Sequence, residues 1–249
     1  MTRRVLVTGG GRGLGSAIVR ALVADGFDVD FTYRSSADEA EALIARLTEA
    51  HPGAQLSARH LDLSDLGSLE IACEEIEAAG YFGLVHNAGP PYDALAAMMA
   101  QDKAEAAMQV NFWSLTRIAK TVLRGMIRAR AGRIVAIGSV AALEGNPGNA
   151  AYAASKGALL SYCRTLAIET AKRGICVNYI APGFIDTEMM APYAAYRAQM
   201  EKQIPAGRFA SPQDVAALVG FLLSPGAAYM TGAVLPMDGG LTARIGVHR

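Results

Sequence analysis

The stretch that most limits what this chain can fold into lies at its start. Val5-Leu6-Val7 is a short apolar run that ends in Thr8-Gly9-Gly10-Gly11-Arg12-Gly13-Leu14-Gly15, and an amphipathic helical pattern follows from Ser16 through Ala24. A strand, a glycine turn and a helix N-terminus together make an anion site, because unpaired backbone N–H groups and the helix dipole aim at one spot. Gly9, Gly13 and Gly15 let the backbone close on a pyrophosphate, and Arg12 and Leu14 lie within the same turn. A glycine-rich loop on its own is often just a flexible turn. The strand before it and the helix after it favour a dinucleotide site.

Further strands are expected at Val29–Tyr33, Leu56–Leu63, Gly83–Asn87, Arg133–Gly138, Cys176–Ala181 and Ala233–Met237. Helical patterns fall between them, at about Ala37–Ala50, Ser64–Ala79, Asp102–Arg130, Ala151–Lys172 and Pro212–Leu223. This alternation predicts an α/β, Rossmann-type, doubly wound parallel sheet of about seven strands, with helices on both faces. No linker, repeat or low-complexity tract divides residues 1–249, so a single domain is expected. Twenty-three basic residues balance 23 acidic ones, which argues against nucleic acid or anionic lipid as partner. No apolar run approaches the roughly 20 residues of a membrane span, and the start lacks a signal peptide's core. Cys73, Cys163 and Cys176 are scattered without metal-ligand spacing, so no metal is expected and reduced thiols in a cytoplasmic protein are.

The strand ends carry the unusual residues. After the second strand come Arg34 and Ser35, with no acidic residue at the tip; that suits a 2′-phosphate, as in NADP, better than the bare ribose of NAD, and Arg12 in the glycine turn is expected to approach the same phosphate. The alternative is an arginine merely solvated at a strand end. Asp62 and Leu63 close the third strand, where a carboxylate can accept from an adenine amino group, and Asn87-Ala88-Gly89 close the fourth. Ser139 follows the fifth, and Pro182-Gly183-Phe184-Ile185-Asp186-Thr187 the sixth. Ligands of open α/β sheets bind outside the carboxyl ends of the strands, so these segments converge on one crevice. Asp30 interrupts a strand that should be apolar, and sequence supplies no reason for it.

Tyr152 and Lys156 stand four apart in an uninterrupted helical stretch, Ala151-Tyr152-Ala153-Ala154-Ser155-Lys156, and so share a face. A nearby ammonium favours phenolate, lowering the phenol pKa toward neutrality and fitting it for proton exchange with a carbonyl or alcohol. The plain alternative is a surface tyrosine stacked on a lysine stem.

Taken in order, Thr8-Gly9-x-x-x-Gly13-x-Gly15, Asn87-Ala88-Gly89, Asn111, Ser139, Tyr152-x-x-x-Lys156 and Pro182-Gly183 resemble the short-chain dehydrogenase/reductases, over nearly the whole chain. Gly145-Asn146-Pro147-Gly148, Arg173-Gly174-Ile175-Cys176-Val177-Asn178, Ala181–Thr187 and Asp238-Gly239-Gly240 are similar to segments of the bacterial 3-oxoacyl-[acyl-carrier-protein] reductases. The resemblance implies NADP(H) as cofactor and a role for each residue. Tyr152 would be the general acid, Lys156 would bind the nicotinamide ribose and depress Tyr152, and Ser139 would orient the carbonyl. Asn111 would hold a water that links the lysine to solvent, and Thr187 would bond the carboxamide.

It also implies a homotetramer packed through the two long helices, with a further contact near Ala233–Met237. Arg130 and Arg173 fall where the resembled reductases dock acyl-carrier protein; helix C-terminal capping is the competing reading. Pro90-Pro91-Tyr92 departs from the usual pattern, placing prolines and an aromatic where a cation is common, and this bears on substrate choice. His86 stands where Asn is common and reads as a packed strand residue. Glu188–Ile204 resembles a mobile substrate lid, with Met189, Met190, Tyr193, Tyr196 and Met200 as an apolar lining that would equally suit a helix packed on the core. Three functions remain: reduction of a carrier-bound 3-oxoacyl thioester, reduction or oxidation of another free ketone or alcohol, and a non-catalytic NADP-binding sensor or scaffold.

Overall fold

The computed structural model describes residues 3–243. Its strands are β1 (Arg4–Thr8), β2 (Asp28–Tyr33), β3 (Leu56–His60), β4 (Gly83–His86), β5 (Gly132–Ile137), β6 (Ile175–Pro182) and β7 (Val234–Met237). They form one sheet in the order β3-β2-β1-β4-β5-β6-β7, with every pairing parallel. The doubly wound expectation holds. β4, β5 and β6 are buried along their whole length, as strands covered on both faces must be.

Side chains alternate along the strands, so β1 sends Val5 and Val7 to one face and Leu6 to the other. The first face is closed by α1 (Gly13–Ala24), α2 (Ala37–Ala50) and α8 (Pro212–Leu223), through Ile18, Leu22, Leu43 and Val219. The second is closed by α3 (Leu66–Ala79), α5 (Ser114–Ala129) and α6 (Ala150–Thr170), through Leu69, Ile118 and Leu159. Two shorter helices, α4 (Gln101–Met108) and α7 (Arg197–Gln203), lie at the carboxyl edge and its approaches. Among the described residues no helix is long and apolar enough to cross a membrane, and no three metal-ligating side chains cluster.

Two element readings need correction. The third strand stops at His60, and Asp62 lies in the turn beyond it, accepting hydrogen bonds from the Ser64 N–H (2.9 Å) and hydroxyl (2.6 Å). That local turn competes with continued strand pairing. Asp102–Arg130 is not one helix: α4 gives way to a π turn at Gln109–Trp113 before α5 begins.

Asp30 now has an explanation. Its buried carboxylate pairs with Arg4 Nε at 2.7 Å and accepts from the hydroxyls of Ser57 and Tyr81, each at 2.6 Å. A buried charge persists when it is paired and hydrogen-bonded. This one ties β1, β2 and β3 together at their amino halves, away from the crevice.

Candidate active site

The strand order reverses between β1 and β4, and the crevice opens there. Asn87 Nδ2 donates to the carbonyls of Gly9 (2.9 Å) and Thr8 (3.3 Å), clamping the glycine turn to the end of β4. Gly9 takes φ 68°, a left-handed conformation that disfavours other residues. At Gly15 a Cβ would stand 1.9 Å from the Gly9 carbonyl oxygen, so α1 can start this close to the turn only without a side chain. The segment after β6 lies over the turn: Thr187 Cβ is 3.8 Å from where a Gly13 Cβ would be. Gly183 is joined to β7 through the Met237 carbonyl, and Ile185 bridges to Ala210.

Arg34 and Ser35 are exposed at the tip of β2. The Asp62 carboxyl is held below its ordinary pKa, first by Ser64 and further by the charge of Arg34. Arg12 does not join Arg34; its guanidinium faces Glu188 at 3.8 Å, with both side chains largely exposed. Leu63 is buried, and its carbonyl accepts from Gln109 Nε2.

Asn111, Ser139, Tyr152 and Lys156 come together at the carboxyl edge. Lys156 is buried, donates to the Ile137 carbonyl at 3.0 Å, and has its pKa lowered by burial to about 8. Its Nζ lies 5.7 Å from the Tyr152 ring centroid. The expected depression of Tyr152 is not what this geometry gives. Burial raises the phenol pKa and the Asp93 charge adds to that, while only the hydrogen bond with Ser139 pulls it down. The ammonium lies over the ring face and is tied to a main-chain carbonyl, so it is not directed at the hydroxyl.

Ser139 is placed by a residue that sequence reasoning missed. Tyr179, in β6, accepts from the Ser139 N–H at 3.0 Å and donates to the Lys156 carbonyl at 3.2 Å. Its ring takes the space beside Gly138, where a Cβ would lie 1.7 Å from the ring. An aromatic in an apolar run reads as core, and nothing in its spacing reveals the hydroxyl's task. Asn111 sits in the π turn, fully buried, with Nδ2 donating to Ser155 Oγ (2.8 Å) and the Pro90 carbonyl (3.4 Å). Its Oδ1 is buried with no partner. Oδ1 and Lys156 Nζ lie 2.6 and 2.9 Å from where a Gly89 Cβ would sit, so both groups need a glycine there.

Tyr92 turns back on its own loop, accepting from the Ala100 N–H at 2.8 Å. The next residue reaches further: Asp93 accepts from Asn149 Nδ2 at 2.5 Å and from the Tyr193 hydroxyl. One carboxylate thus joins the loop after β4, the start of α6 and the lid. The segment expected to be a lid is a 3-10 stretch, Glu188–Tyr196, followed by α7, and none of that stretch is buried. Met189 is 53% and Tyr196 62% exposed, so these side chains are not packed onto the core. At its base Arg197 forms a two-armed pair with Asp186 (2.7 and 2.9 Å), bonds Glu201, and stacks over Phe209.

Arg130 and Arg173 lie elsewhere. They occupy the turns leading into the amino ends of β5 and β6, with Arg130 in a left-handed conformation and bonded to the Lys172 carbonyl at 3.1 Å. β5 has six residues, and the crevice therefore opens about 20 Å away at its other end.

A family model described as Enoyl-(Acyl carrier protein) reductase matches residues 9–242. The chain is 40% identical over 241 residues to the 3-oxoacyl-[acyl-carrier-protein] reductase FabG of Salmonella typhimurium, covering 95% of this chain and 96% of that one. A solved short-chain dehydrogenase/reductase from Serratia marcescens superposes with a TM-score of 0.90 at 34% identity, over 96% of this chain and 98% of that one. A gluconate 5-dehydrogenase from Burkholderia cenocepacia, solved with NADP and tartrate, gives 0.89 at 31% identity, over 98% and 96%. With this fold, these site groups and these relatives, the chain belongs to the short-chain dehydrogenase/reductase superfamily and is one of its oxidoreductases.

Proposed function

We propose that the protein reduces a 3-oxoacyl thioester to the 3-hydroxyacyl form with NADPH, the acyl group being carried by an acyl-carrier protein. The observation that carries the reductase reading is the assembly of Asn111, Ser139, Tyr152 and Lys156 at the end of the glycine-turn crevice. The FabG likeness supports the substrate. The residues present fit the cofactor, because the backbone at Gly9 and Gly15 is bare and close-set and Arg34 is exposed at the β2 tip. Bound NADPH would supply the hydride. Gly9, Gly13, Gly15 and Leu14 would hold its pyrophosphate, Arg34 and Ser35 the 2′-phosphate, and Asp62 and Leu63 the adenine, while Arg12 is turned toward Glu188. Asn87, Ala88 and Gly89 would flank it, Tyr152 and Lys156 would face its ribose, and Pro182, Gly183, Ile185 and Thr187 its carboxamide.

In this reading the Ser139 hydroxyl orients the ketone oxygen, and the Tyr152 hydroxyl gives up its proton as negative charge grows there. A phenol held above its ordinary pKa is fully protonated at neutral pH, as an acid must be. Lys156 keeps its part at the ribose, since its ammonium is tied to the Ile137 carbonyl and lies over the Tyr152 ring rather than at the hydroxyl. The exposed methionines and tyrosines of the lid suit an apolar acyl chain. Reduction of acetoacetyl-carrier protein with NADPH, run beside acetoacetyl-coenzyme A and a free ketone, tests the substrate. Preference for the free ketone would favour the second reading, to which the likeness to gluconate 5-dehydrogenase also lends weight. Tyr152→Phe should keep NADPH binding and lose roughly 10²- to 10⁴-fold in turnover. Near-normal turnover would show that Tyr152 is not the acid.

A further inference from the structure

Between the glycine turn and the catalytic helix lies a histidine with both ring nitrogens engaged. His86 ends β4 and is fully buried. Its Nδ1 is 3.1 Å from Thr8 Oγ1, and its Nε2 is 3.2 Å from the main-chain oxygen of Asn111. The protons can be assigned by counting. Thr8 Oγ1 already accepts from the N–H groups of Asn87 and Ala88, each at 3.1 Å, so its own hydrogen points to Nδ1. A carbonyl oxygen only accepts, so Nε2 carries the ring hydrogen. The ring is neutral, and burial together with the Lys156 charge keeps it so.

The receiving carbonyl belongs to the π turn Gln109–Trp113, a departure from the regular helical ladder of the kind found at functional sites. The same residue's side chain spans Ser155 and Pro90 and leaves Oδ1 unpaired beside Lys156. Main chain and side chain of Asn111 turn together, so whatever fixes the carbonyl also aims Oδ1.

We propose that His86 is a positioning residue. By donating from Nε2 to the Asn111 carbonyl it holds the π turn so that Asn111 Oδ1 faces Lys156, and through Thr8 it couples this arrangement to the glycine turn. It touches neither substrate nor cofactor and exchanges no proton. Its catalytic consequence rests on the reading of Asn111 and Lys156 given under the proposed function.

Three variants separate the bond from the bulk of the ring. His86→Gln places an amide nitrogen near Nε2 and keeps the donor to Asn111. His86→Asn ends near Nδ1, keeping Thr8 but not reaching Asn111. His86→Met fills the space without either bond. We expect His86→Gln to keep kcat within about threefold, and the other two to lose on the order of 10- to 100-fold with little change in KM for NADPH. Hydrogen exchange across Gln109–Thr116 should quicken in the Asn and Met variants and stay slow in Gln. If His86→Met does not fold, the Gln and Asn pair decides. Gln as damaged as Asn, or Asn as active and as slowly exchanging as the wild type, overturns the proposal. The exchange measurement needs no substrate. A wild type that fails to reduce acetoacetyl thioesters would sink the proposed function alone, while an active wild type without this pattern would sink the role of His86 alone.

Discussion

Lys156 is where stability and function pull in opposite directions. It is the one lysine buried to 2% exposure among the described residues, and its hydrogen-bond partner is a single main-chain carbonyl. Burial brings its pKa down to about 8. A base whose folded pKa is lowered leaves the unfolded chain binding more protons, so stability rises with pH between about 8 and the ordinary lysine value. Below 8 the full penalty applies. Urea unfolding should therefore show wild type gaining on Lys156→Met by about 2 kcal/mol between pH 7 and 9.5. A difference that stays flat across that range contradicts the burial of a charged amine. Arg34 carries a second expectation at this scale. Arg34→Asp should weaken NADPH far more than NADH, measured by fluorescence titration; a wild type that binds both alike would show that the β2 tip does not select the phosphate. The Tyr152 and Lys156 pairing was legible because helical spacing alone puts both on one face. The direction of the Tyr152 shift was not, because it depends first on burial of the phenol, then on Asp93, 59 residues earlier in sequence, and on where the Lys156 ammonium is tethered.

At the scale of elements, strands and most helices followed from periodicity, since central parallel strands are apolar runs and covering helices are striped. What periodicity cannot show is a one-residue widening of a helix. The apolar pattern runs on through Val110, Leu115 and Ile118 whether or not a π turn intervenes. Asp62 was misplaced for a related reason: His60 and Leu61 read as strand, but the Asp62 and Ser64 turn captures the backbone first. The segment read as a lid folds as the 3-10 stretch Glu188–Tyr196 and α7, and its two anchors appear only in three dimensions. The base is held by Arg197 between Asp186, Glu201 and Phe209, and the tip by Tyr193 on Asp93. Tyr193→Phe removes only the tip bond. It should raise KM for an acyl thioester by about fivefold and leave kcat nearly unchanged, because a lost ground-state contact acts on binding alone. Steady-state kinetics decides this: a fall in kcat at constant KM would place the bond in the transition state.

On the scale of the whole molecule, the proposed carrier protein would have to reach a crevice at one end of the sheet from arginines at the other. Arg130 and Arg173 precede β5 and β6, so on a single copy they face away from Tyr152. Net charge is zero, and an acidic carrier can be drawn only to a local basic patch such as theirs. Docking there becomes productive if a second copy pairs antiparallel through α5 and α6, bringing its own crevice beside the patch. Trp113 at the end of the π turn, Ile127 of α5 and Ile168 of α6 are exposed apolar residues and suit such a pairing. Two measurements together test the arrangement. Sedimentation should give an oligomer at micromolar concentration, and Trp113→Glu with Ile168→Glu should shift it toward monomer. Arg130→Glu with Arg173→Glu should leave the oligomer intact, raise KM for acyl-carrier protein several-fold, and spare the coenzyme A thioester; added salt should act on the wild type with the same selectivity. A monomer with full activity toward carrier protein would contradict docking across copies. If instead the arginine variants slow both substrates alike, the two side chains are helix caps, Arg130 holding the Lys172 carbonyl and nothing more.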